Sequence, residues 1–366
     1  MSFQSEFGYT ALPMRVRFGI DVLGQLRSHI AELGIERAIV VCTPEQRTVA
    51  ESVLARLDDR GAGIFDRAEM HVPVEVADDA VRFAVDRGAD ACVVVGGGSS
   101  VGLGKAIALQ HRMPIIAIPT TYAGSEMTPV WGSTRDGHKQ TGSSPSVLPA
   151  LVLYDPGLTT TLPAELSAAS GMNAMAHAVE ALYAPDASPI ISLMAEEGIR
   201  AFAEALPRVV TDPQNIDHRT RALYGAWLCG ASLGATTMSL HHKLCHAIGG
   251  SLNLPHSQTH AIVLPYSMAY NESSAPAAQA AVRRALHTDT SAAVALWELT
   301  QSLPIPHALT QIGMTASDID TVVEQALRNP YSNPREVTEE GLRGLLQDAL
   351  AGRRPTVSDL RTESAR

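Results

Sequence analysis

Residues 91–121 read ACVVVGGGSSVGLGKAIALQHRMPIIAIPTT. Ala91 to Val95 is a short apolar run, the pattern of a strand buried on both faces of a parallel sheet. It runs into Gly96-Gly97-Gly98-Ser99-Ser100, then a helix to about Gln110, then the strand Pro114-Ile-Ile-Ala-Ile. Three glycines between a strand and a helix let the backbone approach a pyrophosphate, and the helix start offers free N–H groups. Thr120 and Thr121, at the end of the next strand, bring two hydroxyls toward the same crevice. The turn does not match G-x-G-x-x-G, so an ordinary Rossmann fingerprint is absent.

The pattern extends in both directions. Residues 13–18 alternate as a strand, and an amphipathic helix follows from about Val22 to Leu33. Ala38-Ile-Val-Val-Cys-Thr43 is a second buried strand, and Pro44-Glu45 opens a helix through Leu57. A helix over Asp78–Arg87 precedes the Gly-rich unit. Residues 132–148 are polar and turn-rich, a surface hairpin, and Leu151-Val-Leu-Tyr154 is the last strand. Strands alternating with helices predict a doubly wound, mostly parallel α/β sheet over residues 1–156, ending at Asp155-Pro156. Long Ala/Leu-rich helical stretches predict an all-α domain over 157–355. The polar residues 356–366 are expected to fray.

Of the 13 histidines, five (His241, His242, His246, His256, His260) fall within Leu240–Pro265. His242 and His246 are four apart, as are His256 and His260, so each pair shares a face if its segment is helical. Asn253-Leu254-Pro255 separates the two segments, and Gly249-Gly250 is expected to let them approach closely. Isolated core or capping histidines are the alternative; five in one window favour a metal site, an acid/base site, or a metal site that has lost its metal.

A net charge of −10 argues against nucleic acid or an anionic membrane surface as partner. The four cysteines are widely spaced without a CxxC pair, which fits reduced core thiols, Cys245 included. No stretch is long and apolar enough to span a membrane, and the N-terminus lacks a signal pattern; a cytoplasmic location is expected. The Ala-rich helices are expected to supply a homodimer face.

Taken together, Gly96-Gly97-Gly98-Ser99 with Lys105, Pro119-Thr120-Thr121, Asp155-Pro156, Gly171-Met172-Asn173-Ala174-Met175-Ala176-His177 and His242-x3-His246-x9-His256 resemble the iron-containing (group III) alcohol dehydrogenase family. The resemblance covers nearly the whole chain. It implies the architecture shared with dehydroquinate synthase: an N-terminal dinucleotide-binding domain, an all-helical catalytic domain, and an active site in the cleft between them. It also implies NADH or NADPH bound through Gly97, Gly98, Ser99, Thr120, Thr121 and Thr43. The family's metal-ligand positions match Asn173, His177, His242 and His256; the histidine near the nicotinamide matches His246. His260 matches no ligand position.

The departures are informative. Asn173 stands where the family has its metal-binding aspartate, Gly102 where an acidic residue is usual, and Pro119–Glu126 is one residue short. An amide is neutral and a weaker ligand than a carboxylate. A His177, His242, His256 site remains possible, but the expectation is that no metal is required. With Tyr122-Ala-Gly-Ser-Glu-Met-Thr-Pro129 and Asn329-Pro-Tyr-Ser-Asn-Pro-Arg335, the chain resembles the branch that reduces the carbon–carbon double bond of maleylacetate to 3-oxoadipate in bacterial breakdown of hydroxyquinol, resorcinol and chlorinated aromatics.

A conjugated ketone needs less polarisation than an isolated carbonyl. Hydride addition leaves an enolate that protonated histidines can stabilise and protonate. His246 and His242 are assigned that work, and His177 and His256 the holding of substrate or donors. Lys243, Asn173 and Tyr122 are assigned to the dicarboxylate substrate, with Arg135 and Lys139 behind them. Thr43 admits a 2′-phosphate more readily than Asp, whereas Glu45 opposes it. The nearest alternative is an Fe- or Zn-dependent alcohol or polyol dehydrogenase. A dehydroquinate synthase-like lyase needs more Lys and Arg contacts, and a non-catalytic nucleotide binder leaves the histidines without purpose.

Overall fold

A computed structural model of the chain describes residues 7–135 and 138–356. The expected frayed tail lies, from residue 357 on, outside the described residues, as does the side chain of Lys139. The chain forms two compact units, Ala11–Leu162 and the stretch from Pro163 onward, the latter taking in residues 7–10.

The first unit carries a six-stranded parallel sheet in the order β1-β8-β5-β4-β2-β3. The strands are β1 (Arg15–Phe18), β2 (Ala38–Val41), β3 (Gly61–Phe65), β4 (Ala91–Gly96), β5 (Ile115–Pro119) and β8 (Leu151–Tyr154); β6 (Val130–Arg135) and β7 (His138–Ser143) form a separate antiparallel hairpin. Helices α1 (Leu26–Glu32), α2 (Arg47–Leu57), α3 (Val74–Asp86) and α4 (Gly98–His111) alternate with the strands. The apolar runs are continuous because the sheet has a core on each face. Ile39, Val41, Cys92 and Val94 pack into one layer, and Ala38, Val40, Ala91, Val93 and Val95 into the other.

The strand β3 has no counterpart in the sequence reading. Its GAGIF sequence is half-buried along most of its length and pairs only with β2 at the sheet edge. Gly61 and Gly63 weaken the strand signal there. The compact units divide at Leu162 rather than at the expected Pro156. The turn after β8 is held by the Asp155 carboxylate accepting from the Gly157 N–H at 2.9 Å, and Leu158 packs on the α/β core.

Lys105 of α4 is fully buried, and its Nζ donates to the carbonyls of Ser125 (2.8 Å), Thr128 (2.9 Å) and Val130 (2.6 Å) and to Thr128 Oγ1 (3.0 Å). This clamp fixes the segment between β5 and β6. Burial lowers the amine to about 7, opposed by Glu126.

The second unit is all helical: α5 (Ala164–Ala181), α6 (Pro189–Thr211), α7 (Ile216–Gly234), α8 (Leu240–Leu252), α9 (His256–Asn271), α10 (Pro276–Ala285), α11 (Ala292–Gln301), α12 (Ile319–Leu327) and α13 (Glu339–Ala351). Asn253 stops α8 in the left-handed region, at φ 52°, and α9 starts after Pro255. A Cβ on Gly249 or Gly250 would meet nothing within 4 Å, so those glycines do not serve a close approach as expected. No helix among the described residues is long and apolar enough to cross a membrane.

Candidate active site and cofactor crevice

Helix α5 places Asn173, His177 and Glu180 along one stripe, at spacings of four and three. All three are buried in a helix of small residues that neighbours approach closely; a Cβ on Gly171 would lie 2.5 Å from Leu206. The Glu180 carboxylate has no solvent exposure. One oxygen accepts from the backbone N–H of His241 at 2.8 Å, and the other takes the Nδ1–H of His242. His242 Nε2 lies 2.9 Å from His177 Nδ1, in hydrogen-bond contact. His177 Nε2 then faces the Asn173 amide at a long 3.5 Å. The sequence reading missed Glu180, although its spacing from His177 was visible.

A second chain runs beside the first. Ser267 donates its hydroxyl to the Leu264 carbonyl at 2.9 Å. Its oxygen therefore accepts from His241 Nδ1–H at 3.0 Å, and His241 Nε2 accepts from His260 Nδ1–H at 3.0 Å. His260 Nε2 is left buried without a hydrogen-bond partner. Burial, reinforced by His242 and His177, holds His241 well below the ordinary histidine range. Burial, reinforced by His256 and His241, does the same to His260. Both rings are neutral.

The expected histidines come together as one nest. Ring centroids lie 4.9 Å apart for His177 and His242, 6.1 Å for His242 and His246, and 4.3 Å for His256 and His260. His246 and His256 are exposed, so they form the nest's solvent-facing side, whereas His241 and His260 are its floor. Lys243 is half-buried, with Nζ 5.6 Å over the Tyr331 ring. Tyr122 belongs to the α/β unit and is completely buried there.

Two of the residues at the family's metal-ligand positions, His177 and His242, are hydrogen-bonded to each other here, and Asn173 brings an amide where the family has a carboxylate. Among the described residues, one group of three or more His, Cys, Asp or Glu has donor atoms all within 4.8 Å of one another: His241, Cys245 and His260. The expected triplet His177, His242 and His256 does not meet that spacing. Two of its nitrogens bond directly to each other, and Asn173 Oδ1 is buried without a partner. The group that does converge is already a hydrogen-bonded chain, and burial pushes the Cys245 thiol well above its ordinary value, against the thiolate that a metal needs.

In the α/β unit, Gly97, Gly98, Ser99, Thr120, Thr121 and Thr43 all sit at the carboxyl ends of β2, β4 and β5. Helix α4 starts at Gly98 with neither a side-chain cap nor an acidic residue in its first turn, so its amides are open to an anion. Gly96 has φ +135°, and a Cβ there would lie 2.6 Å from Ser100 Oγ; one on Gly97 would lie 2.8 Å from Thr121 Oγ1. Ser100 Oγ, Thr120 Oγ1 and Gln46 Oε1 are buried without hydrogen-bond partners. Unpartnered buried hydroxyls beside an uncapped helix start are the groups that a dinucleotide would satisfy.

Comparison with known proteins shows the family. The profile described as iron-containing alcohol dehydrogenase matches residues 13–156, and that described as the C-terminal part of the Fe-containing alcohol dehydrogenase family matches residues 167–350. The maleylacetate reductase of Burkholderia cepacia is 49% identical over 352 residues, 96% of this chain and 100% of that protein. That of Rhizobium sp. strain MTP-10005 is 50% identical over 349 residues, 95% of this chain and 99% of that protein. The crystal structure of maleylacetate reductase from Agrobacterium tumefaciens superposes with a TM-score of 0.93 at 48% identity, covering 96% of this chain and 99% of that one.

Proposed function

The chain belongs to the iron-containing alcohol dehydrogenase family, and from that premise we propose that it reduces maleylacetate to 3-oxoadipate. It is an NAD(P)H-dependent oxidoreductase, as full-length similarity near 49% to maleylacetate reductases supports. When bound, the dihydronicotinamide would supply a hydride to the alkene carbon β to the ketone and be oxidised in turn; the electron pair of the double bond would move onto the ketone oxygen, and this chain's residues would steady that enolate and return a proton to its α carbon.

The single observation that carries the metal-free form of this reading is the hydrogen bond between His177 Nδ1 and His242 Nε2, anchored on Glu180. Nitrogens that hold each other are poised to hold and pass protons, and a conjugated enone needs less Lewis-acid polarisation than an isolated carbonyl. We assign His246, exposed on the nest, to the enolate or its proton, with His242 behind it. His177 and His256 hold donors and substrate, and Lys243 and Asn173 bind substrate carboxylate.

The test is product identification. NADH or NADPH consumption with maleylacetate should match 3-oxoadipate formation mole for mole; an alcohol product at the ketone would refute the reading. His246→Ala should lower kcat by about 100-fold, an interaction of roughly 2–4 kcal/mol made in the transition state; an unchanged kcat would remove that role. Lys243→Ala should raise KM by about 10-fold with kcat little altered.

A further inference from the structure

The stretch Asn329-Pro-Tyr-Ser-Asn-Pro-Arg335 lies between α12 and α13 without regular secondary structure. It is nevertheless tied down. Asn333 and Asn271 exchange amide hydrogen bonds at 2.7 Å and 3.0 Å. Ser239, the residue before α8, donates its hydroxyl to the Ser332 carbonyl. Tyr270 donates its hydroxyl to the Glu336 carbonyl at 2.7 Å, and the Arg335 guanidinium lies 4.4 Å from the centre of the Tyr270 ring. This strap is thereby fixed to the start of α8 and the end of α9, the two helices that carry His242, His246, His256 and His260.

Tyr331 rides on the strap. Its side chain packs against the core cluster that includes Leu240, Leu244 and Ile248 of α8. The Lys243 Nζ stands over its ring, 5.6 Å from the centroid. The phenol hydroxyl is buried without a hydrogen-bond partner, so the ring face, and not the polar tip, is the part that meets the cation. An ammonium within about 6 Å of an aromatic centroid is drawn to the negative face of the ring. Among the described residues, Lys243 makes no hydrogen bond or ion pair. The ring therefore seats the ammonium and leaves its N–H groups open to an acceptor.

We infer that Tyr331 is a positioning residue: its ring face holds the Lys243 ammonium beside the histidine nest, pre-set for a carboxylate of the substrate. The inference rests on the reading of Lys243 as a substrate contact. A lysine loose in solvent gives up rotamer freedom when it meets a carboxylate; one already seated on a ring gives up less. That advantage is the same in the ground state and the transition state, so it belongs to KM and not to kcat.

The experiment is steady-state kinetics of the full-length protein with maleylacetate and NADH, on Tyr331→Phe, Tyr331→Leu, Tyr331→trifluorophenylalanine, Lys243→Ala and the double variant Tyr331→Leu with Lys243→Ala, with thermal melts alongside. Tyr331→Phe keeps the ring and should hold the KM for maleylacetate within about twofold of wild type. The trifluorinated ring keeps the shape but not the negative face. It and Tyr331→Leu should raise that KM about fivefold, the scale of a cation–π contact at a half-buried lysine, with kcat and the KM for NADH within about twofold. The double variant should match Lys243→Ala, because the two side chains act as one. A trifluorinated variant that behaves as Tyr331→Phe would overturn the inference and leave Tyr331 as core packing, as would a double variant whose effects multiply. If Tyr331→Leu does not fold, the trifluorinated variant decides alone, since its shape is kept. An unchanged KM in Lys243→Ala would instead overturn the reading of Lys243, and the inference with it.

Discussion

At the scale of single residues, the site turns on one buried carboxylate. Glu180 has no solvent exposure and two partners, the His241 backbone N–H and the His242 ring, so its replacement removes the group that sets the proton on His242. Glu180→Gln should reduce kcat about 10- to 100-fold with KM little changed, measured by steady-state nucleotide oxidation; a kcat within twofold of wild type would show that the proton on His242 is set elsewhere. Much of this was legible. His242, His246 and His256 were found by spacing, Asn173 and His177 by resemblance to the family's motif, and the structure puts the four imidazole rings in one nest. Glu180 was also legible in principle, three residues after His177 on a helix, but a lone carboxylate in an Ala-rich segment carries no signal until its partner on another helix is known. Ser267 was not legible, because its role depends on His241 reaching it across 26 positions of sequence.

At the scale of elements, α8 and α9 carry the floor of the nest, and two of its rings are neutral. Because burial lowers the folded-state values of His241 and His260, the unfolded chain binds more protons than the folded one once pH falls below the unfolded value near 6.5. Stability is therefore full above that pH and declines beneath it, by about 1.4 kcal/mol per pH unit for each ring. Thermal melts between pH 7 and pH 5 should show this decline, and His260→Asn should flatten it; an unaltered slope would mean that His260 is not a source of acid sensitivity. The stop between the helices is local. Asn253 at φ 52° should tolerate glycine, whereas Asn253→Ala should cost about 1 kcal/mol in denaturant unfolding. The same local view explains the misread elements. Asn253-Leu254-Pro255 marked the break correctly because its cause is backbone conformation. Gly249-Gly250 misled because the space around them is open, and β3 escaped because an edge strand with two glycines lacks the apolar run of its neighbours.

At the scale of the whole molecule, the α/β class of the first half and the helical class of the second were legible for one reason. Strands buried on both faces and long Ala-rich helices write their burial directly into composition. The histidine arrangement was legible only as membership, not as connectivity: which nitrogen meets which is set by helix packing. That connectivity is what the proposed proton-holding role of the nest rests on. The decisive measurement is maleylacetate-dependent NADH oxidation before and after exhaustive chelation, with protein-bound iron and zinc assayed on the same samples. Activity undiminished with no bound metal is the result the account predicts. Activity that is lost on chelation and returns with Fe²⁺ or Zn²⁺ would contradict it and would show that His177, His242 and His256 converge on a metal despite Asn173.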